Sequence, residues 1–467
     1  MQVASYLPAW FLKRLPVRIA RNCAKVVRSQ IVRAGAAYPV DSNNTHRPSA
    51  PKTATGPRIP LRQLLVDVSV IYQSDARTGI QRAVRSLLLQ LLSDPPSDCV
   101  VFPVFATRRQ GYCYAERNFL EQERTQPTSR EPSAKKVQVR HGDVFLALDL
   151  AAHLLPRHQA QVLGWKRLGV KVHVVVYDLL PLQHPEWFNP KTTRNFKRWI
   201  VWLAIYADSA VCISDTVKTD VQAWMSSHFG LTTTALPAKT IVLGANINAS
   251  APSGGLPTTA EFLLARLRNA PTVLMVGTLE PRKGYDQALS AFELLWQQGG
   301  KAPLLVIVGR PGWKTEALQE LMRAHPQVGK RLFWLQDVSD EFLEQLYAIC
   351  KGVLVASRAE GFGLPLIEAA LHNKPILARK LAVFKELDIS GLTYFSGDTP
   401  QDLANALSTW LDTVPMPGTT STVNTITCAL PTWKLSASQL LQALGLQSLN
   451  GGSTRNLSNS NHAGALA

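Results

Sequence analysis

Two glutamates eight positions apart, Glu360 and Glu368, bracket the run Gly361-Phe362-Gly363-Leu364. The apolar run GVLVAS (352–357) ends just before them, and Pro365 stands where the first turn of a helix accepts proline. Glycines let main-chain N–H groups approach a ligand closely, and a helix N-terminus favours an anion. Two carboxylates flanking an anion site suit a ligand that carries both phosphate and sugar hydroxyls. A second segment, MVGTLEPRKGYDQAL (275–289), places Gly277 at the end of an apolar run and Arg282-Lys283 ahead of a helix. Adjacent cations at such a junction form a phosphate clamp. Each feature alone also reads as an ordinary charged turn; an acidic loop residue plus a surface glutamate does not explain the Glu-Gly-Phe-Gly run and its second glutamate together.

These residues need strands and helices to hold them. Short β-rich runs at 64–72, 100–106, 144–150, 170–179, 208–214 and 240–246, with helices at 81–92 and from Asp215, predict an α/β unit with a parallel sheet. Residues 121–142 read as a loop, and 249–260 (ASAPSGGLPTTA) as an interdomain linker. The alternation restarts with strands at 271–279, 304–309, 331–336, 352–357 and 374–379, and helices at 285–296, 316–324, 340–350 and 364–372. Two such sheets predict two domains facing across a cleft, with ligands beyond the carboxyl ends of the strands. The predicted divisions are an extension at 1–58, domains at 59–250 and 261–430 with a loop at 413–430, a helix at 431–446 and a disordered tail at 447–467.

The chain has 467 residues, 46% hydrophobic and 18% charged, which excludes a wholly disordered protein. Its net charge is +17, but the first 60 residues hold ten Lys and Arg against the single acid Asp41. About half of the excess therefore lies in an extension, where a nucleic-acid enzyme would spread it over its folded surface. Residues 7–32 read as an amphipathic helix with Arg14, Arg18, Arg21, Lys25 and Arg28 on one stripe and Phe11, Leu15 and Ile19 off it. Such a helix suits an anionic membrane surface, with Trp10 as anchor; a solvated or partner-packed helix is the alternative. No run of about 20 apolar residues predicts a membrane span, and Lys13, Arg14 and Arg18 interrupt any signal-peptide core. Six cysteines without a CxxC pair predict reduced thiols, hence a cytoplasmic protein, with the extension offering peripheral attachment to the cytoplasmic face of the inner membrane.

Together the two segments resemble the retaining glycosyltransferases of the GT4 family, whose fold is GT-B. The family's E-x7-E pattern matches Glu360 to Glu368, its G-T-x-x-P-R-K-G segment matches Gly277 to Gly284, and its terminal helix matches Thr432 to Ala437. The match is strong over about 270–445 and weaker over 61–250. The resemblance implies catalytic roles for Glu360, Arg282 and Lys283, with Glu360 on sugar hydroxyls. It implies donor binding by Glu368, on the ribose, and by Gly277, Gly361, Phe362, Gly363 and Leu364. Glu386 resembles a further family glutamate. The run Arg77-Thr78-Gly79-Ile80-Gln81-Arg82 is similar to a loop that contacts acceptor or donor phosphate, through Gly79 and Arg82. Where the family often has a His-Asp pair, this chain has Tyr177-Asp178, with His184 beyond it. The implied reaction moves a hexose, first mannose from GDP-mannose, from a nucleotide diphosphate sugar to a saccharide or lipid-linked saccharide. It retains anomeric configuration, uses no cofactor or metal and serves surface polysaccharide synthesis. The alternatives are a non-catalytic GT-B partner subunit, a nucleic-acid-binding protein using the basic extension, and an epimerase or glycogen-synthase-like polymerase of the same fold.

Overall fold

The computed structural model describes residues 61–75, 78–116, 119–120, 134–244, 253–299, 303–414 and 431–446, together with Arg28. The linker at 40–58, the tail at 447–467, Arg77 and, apart from Arg28, the amphipathic segment 7–32 lie outside the described residues.

The first domain is a seven-stranded sheet in the order β3-β2-β1-β4-β5-β6-β7. Its strands are β1 (Arg62–Asp67), β2 (Cys99–Phe105), β3 (Cys113–Tyr114), β4 (Val144–Ala147), β5 (Lys171–Val176), β6 (Ser209–Cys212) and β7 (Ala238–Thr240). Only β3 runs antiparallel to its neighbour. Runs such as Leu64-Leu65-Val66 and Val174-Val175-Val176 are buried throughout, because helices cover both faces of a parallel sheet.

The second domain is all parallel, in the order β10-β9-β8-β11-β12-β13. Its strands are β8 (Thr272–Val276), β9 (Leu304–Val308), β10 (Leu332–Leu335), β11 (Gly352–Val355), β12 (Ile376–Arg379) and β13 (Leu392–Phe395). Alternate residues divide between two apolar layers. Val273, Met275, Leu305 and Ile307 pack in one, and Leu274, Val306 and Val308 in the other. In both sheets the strand order reverses, between β1 and β4 and between β8 and β11, which is where a crevice opens in such folds.

Several elements correct the sequence reading. β1 stops at Asp67, and Ser69–Gln73 is a short helix where a strand to Tyr72 was predicted. Asp67 accepts hydrogen bonds from the N–H and hydroxyl of Ser69, and Asp149 accepts from the N–H groups of Val70 and Ile71. These carboxylates satisfy the donors that open a helix, so the apolar run turns. The last strand of the first domain is Ala238–Thr240 and precedes the predicted 240–246. β5 ends at Val176, short of the predicted 179. The helices Pro190–Tyr206 and Pro400–Thr413 and the strand β13 were not predicted.

The Trp433–Leu444 helix, opened by Thr432 accepting the Leu435 N–H, packs on the first domain against the Gly79–Ser93 helix. Gly244 makes this possible, since a Cβ there would lie 2.5 Å from the Trp433 nitrogen. Arg28 donates to the carbonyls of Ala204 (3.1 Å), Ala207 (2.7 Å) and Ala235 (2.5 Å). This member of the predicted membrane-facing stripe is therefore turned onto the first domain. Among the described residues no helix is long and apolar enough to cross a membrane, and Cys99, Cys113, Cys212 and Cys350 are buried free thiols.

Candidate active site

The loop after β11 and the turn after β8 meet at Glu360. Gly284, in the left-handed region (φ 71°), ends the turn, and a Cβ there would sit 2.3 Å from the Ala356 carbonyl oxygen. The Arg358 N–H donates to the Arg282 carbonyl at 2.7 Å, fastening loop to turn. Both oxygens of Glu360 are engaged. Lys283 Nζ (2.5 Å) and Ser357 Oγ (2.8 Å) donate to Oε1, and Arg282 Nη1 (2.5 Å) donates to Oε2. Arg282 Nε also donates to Glu280 Oε2 at 2.7 Å. Burial alone would raise the Glu360 carboxyl, but Arg282 and Lys283 outweigh it and hold it at about 2. Burial opposes the Arg282 charge too, and Glu360, Glu280 and Asp178 raise its pKa in net. The knot thus holds Glu360 ionised between Arg282 and Lys283 at the strand-order reversal.

Glu368, buried in the Leu364–Leu371 helix, looks to the other domain. Arg82 Nη1 donates to its Oε1 at 2.9 Å and the Tyr347 hydroxyl to its Oε2 at 3.1 Å. Arg82 Nη2 also donates to Asp340 Oδ1 at 3.1 Å. Burial raises the Glu368 carboxyl and Arg82 opposes that shift. Arg82 owes its position to a capping box, in which Thr78 and Gln81 open the Gly79–Ser93 helix reciprocally.

The two domains touch over this site. A Cβ at Gly361 would lie 2.1 Å from the Tyr177 carbonyl oxygen, and one at Gly79 would lie 3.3 Å from Leu364. Ser214 Oγ donates to the Gly361 carbonyl at 2.9 Å. Glu386 accepts the N–H groups of Asp215 and Thr216, each at 2.7 Å, and so caps the Asp215–Trp224 helix of the opposite domain. Asp178 accepts the Leu180 N–H at 3.1 Å; burial pushes its carboxyl up to about 6, with Arg282 opposing and Glu360 adding to the rise. Gly277 adopts φ 139°, and its carbonyl accepts the Tyr285 hydroxyl at 2.6 Å.

Three residues named from the sequence stand apart from this cluster. The Tyr177 side chain is core, its hydroxyl donating to the Leu148 carbonyl at 2.9 Å. Only its carbonyl lies against the Glu360 loop, because β5 is buried on both faces. Phe362 is buried with Ile367 in the first-domain core and acts as packing. His184 is exposed, stacked on Trp187 at 4.0 Å and 3.2 Å from Glu186. Sequence reasoning missed Glu280, Ser357, Asp340, Tyr347 and Ser214. Ser214 and Ser339 carry a readable signal, since each is a serine N-cap preceding an acidic first turn. Tyr347 and Glu280 carry none beyond their type.

Residues 263–417 match the family model described as Glycosyl transferases group 1. The serotype-specific mannosyltransferase WbdA of Escherichia coli is 41% identical over 385 residues, 82% of this chain and 44% of that protein. The chain thus spans less than half the length of these curated relatives. Among solved structures, Anabaena HepE, in complex with UDP and glucose, superposes with a TM-score of 0.50 at 20% identity, covering 83% of this chain and 96% of that one. Sucrose-phosphate synthase of Thermosynechococcus elongatus gives 0.52 at 16% identity, covering 82% and 94%. By its family match over residues 263–417 the chain carries a group 1 glycosyltransferase domain, and its two-sheet architecture is that of the GT-B fold.

Proposed function

We propose that the chain transfers a hexose, first mannose from GDP-mannose, from a nucleotide diphosphate sugar to a saccharide or lipid-linked saccharide, with retention, in surface polysaccharide synthesis. The observation that carries this is the pairing of Arg282 and Lys283 on Glu360 at the carboxyl ends of β8 and β11. Departure of a nucleoside diphosphate builds charge on its phosphate oxygen, and preorganised cations lower that barrier most. Arg282 and Lys283 supply the cations, and the N–H groups at Gly361–Gly363 open the helix toward the same point. Glu360, kept ionised, accepts sugar hydroxyls, and Glu368 accepts the ribose hydroxyls. The departing phosphate takes the acceptor proton, so no separate carboxylate base is needed. The cations also stand where a metal would otherwise neutralise the diphosphate. The relative named a mannosyltransferase supports mannose. The extension at 7–32 would bring the enzyme to the cytoplasmic face of an anionic membrane, with no role for nucleic acid.

A thermal-shift panel of GDP, UDP, ADP and their sugars tests the reading. The cognate nucleotide at 100 times its dissociation constant adds about 2.7 kcal/mol of stability. No shift with any nucleoside diphosphate would refute it.

A further inference from the structure

A basin of about 420 Å³ opens where the first domain meets the loop after β9. Phe188, Pro190, Thr193, Arg194 and Lys197 wall it from the first domain and Lys314 from the second. None of these belongs to the Glu360 loop or the Arg282-Lys283 turn. One wall is the N-terminus of the Pro190–Tyr206 helix, where Asn189 at the cap position makes no side-chain capping bond. The positive end of the helix is therefore left for another acceptor.

Further features mark the basin as built. Thr193 is 9% exposed, and its hydroxyl is buried with no hydrogen-bond partner among the described residues. Among the described residues neither Arg194 nor Lys197 has an ion-pair partner. Lys314 adopts φ 56°, rare for a residue with a side chain, and its Nζ donates to the Glu186 carbonyl at 2.5 Å. Beside it Trp313 Nε1 donates to the Trp187 carbonyl at 2.9 Å, so the basin straddles a domain contact. A solvated basic face accounts for Arg194 and Lys197, but not for a buried, unpartnered hydroxyl and a left-handed lysine on facing walls.

The basin adjoins the donor turn. Thr315 Oγ1 donates to the Leu279 carbonyl at 3.2 Å, and a Cβ at Gly312 would lie 2.0 Å from the same oxygen. We propose that the basin is a phosphate-binding subsite on the first-domain side of the cleft, taking a phosphate group carried by the acceptor. The acceptor assignment rests on the glycosyl-transfer reading above; phosphate binding does not. Arg194, Lys197 and the helix N-terminus hold the phosphate oxygens, and Lys314 closes over them from the second domain.

Calorimetric titration of the full chain with inorganic phosphate is the test. Arg194→Gln/Lys197→Gln should weaken binding by about tenfold or more. Arg266→Gln, on the Ala260–Arg268 helix away from both the basin and the donor turn, should leave it unchanged, and Arg194→Lys/Lys197→Arg should restore most of it. Equal phosphate affinity in the wild type and Arg194→Gln/Lys197→Gln overturns the subsite. A chain that binds phosphate here yet transfers no sugar would sink the glycosyl-transfer reading and the acceptor assignment, and leave the subsite standing. Two further arms separate the sources of phosphate. The wild type should show a lower KM for a mannoside phosphomonoester than for the plain mannoside, and Arg194→Gln/Lys197→Gln should lose that preference. Sedimentation with phosphatidylglycerol vesicles should not change in that variant. Loss of vesicle binding with no difference between the two acceptors would assign the basin to lipid headgroups and overturn the acceptor assignment.

Discussion

Glu360 and Glu368 stand eight residues apart and are held in opposite ways. Glu360 is gripped by Arg282, Lys283 and Ser357, all of its own domain. Glu368 is gripped by Arg82 from the other domain as well as by Tyr347. The first carboxylate is set whether or not the domains close on each other, and the second changes partners if they part. Glu360 thus belongs to a knot built within one domain, and Glu368 to a contact made between the two.

The largest effect should come from Arg282→Ala. It leaves Glu360 with Lys283 and Ser357 and takes the guanidinium from Glu280 and Asp178, and breaking a buried ion pair costs about 3–5 kcal/mol. Transfer should fall by about 10²–10³, as for removal of a charge-stabilising donor. Unfolding in urea with a wild-type midpoint would show that the knot does not hold the fold. Arg82→Ala should cost less, because its side chain is 28% exposed. About 1–2 kcal/mol of stability and a raised donor KM are expected, with an increased radius of gyration in X-ray scattering. Unchanged scattering would remove the closing role of Arg82.

The two glutamates should also give opposite slopes of stability against pH. Glu360 titrates lower when folded, so its contribution is present above the ordinary carboxylate value of 4.5 and fades as pH falls toward about 2. Glu368 titrates higher when folded, so its contribution is present below 4.5 and is lost as pH rises through its raised pKa. Melting temperatures of Glu360→Gln and Glu368→Gln against the wild type between pH 2 and 7 would read both signs, and matching slopes would break the comparison. The smallest effect expected is that of EDTA. Transfer should continue in chelator, and activity that returns only with magnesium or manganese would contradict the role given to Arg282 and Lys283.

The second domain was the more legible half. Its buried strands alternate with amphipathic helices, and the predicted helix at 316–324 coincides with Glu316–Ala324. The first domain was harder, because its signals are decided by distant partners. Nothing local in VSVIY says that Asp149, far along the chain, will accept the Val70 and Ile71 N–H groups and turn the run into a helix. At the site, Glu360, Arg282 and Lys283 were readable from the two motifs, but their mutual pairing was not, since it depends on Gly284 seating one loop on another. Tyr177 misled because a residue at a strand end reads alike whether its side chain or only its carbonyl meets the cleft. Arg82 was readable as a charged loop residue, while its partners Glu368 and Asp340 come from a domain more than 250 positions away.

The central claim is that sugar transfer from a nucleotide donor takes place at Glu360. The direct measurement is the rate and stereochemistry of product formation with GDP-mannose and a mannoside acceptor, followed by nuclear magnetic resonance, for wild type and Glu360→Gln. The wild type should form an α-linked product from the α-linked donor. Glu360→Gln, folded by circular dichroism, should be slower by about tenfold to several hundredfold, the loss of a charged contact worth about 1.5–3 kcal/mol or more. A β-linked product would contradict retention, and a wild-type rate in Glu360→Gln would place the chemistry elsewhere.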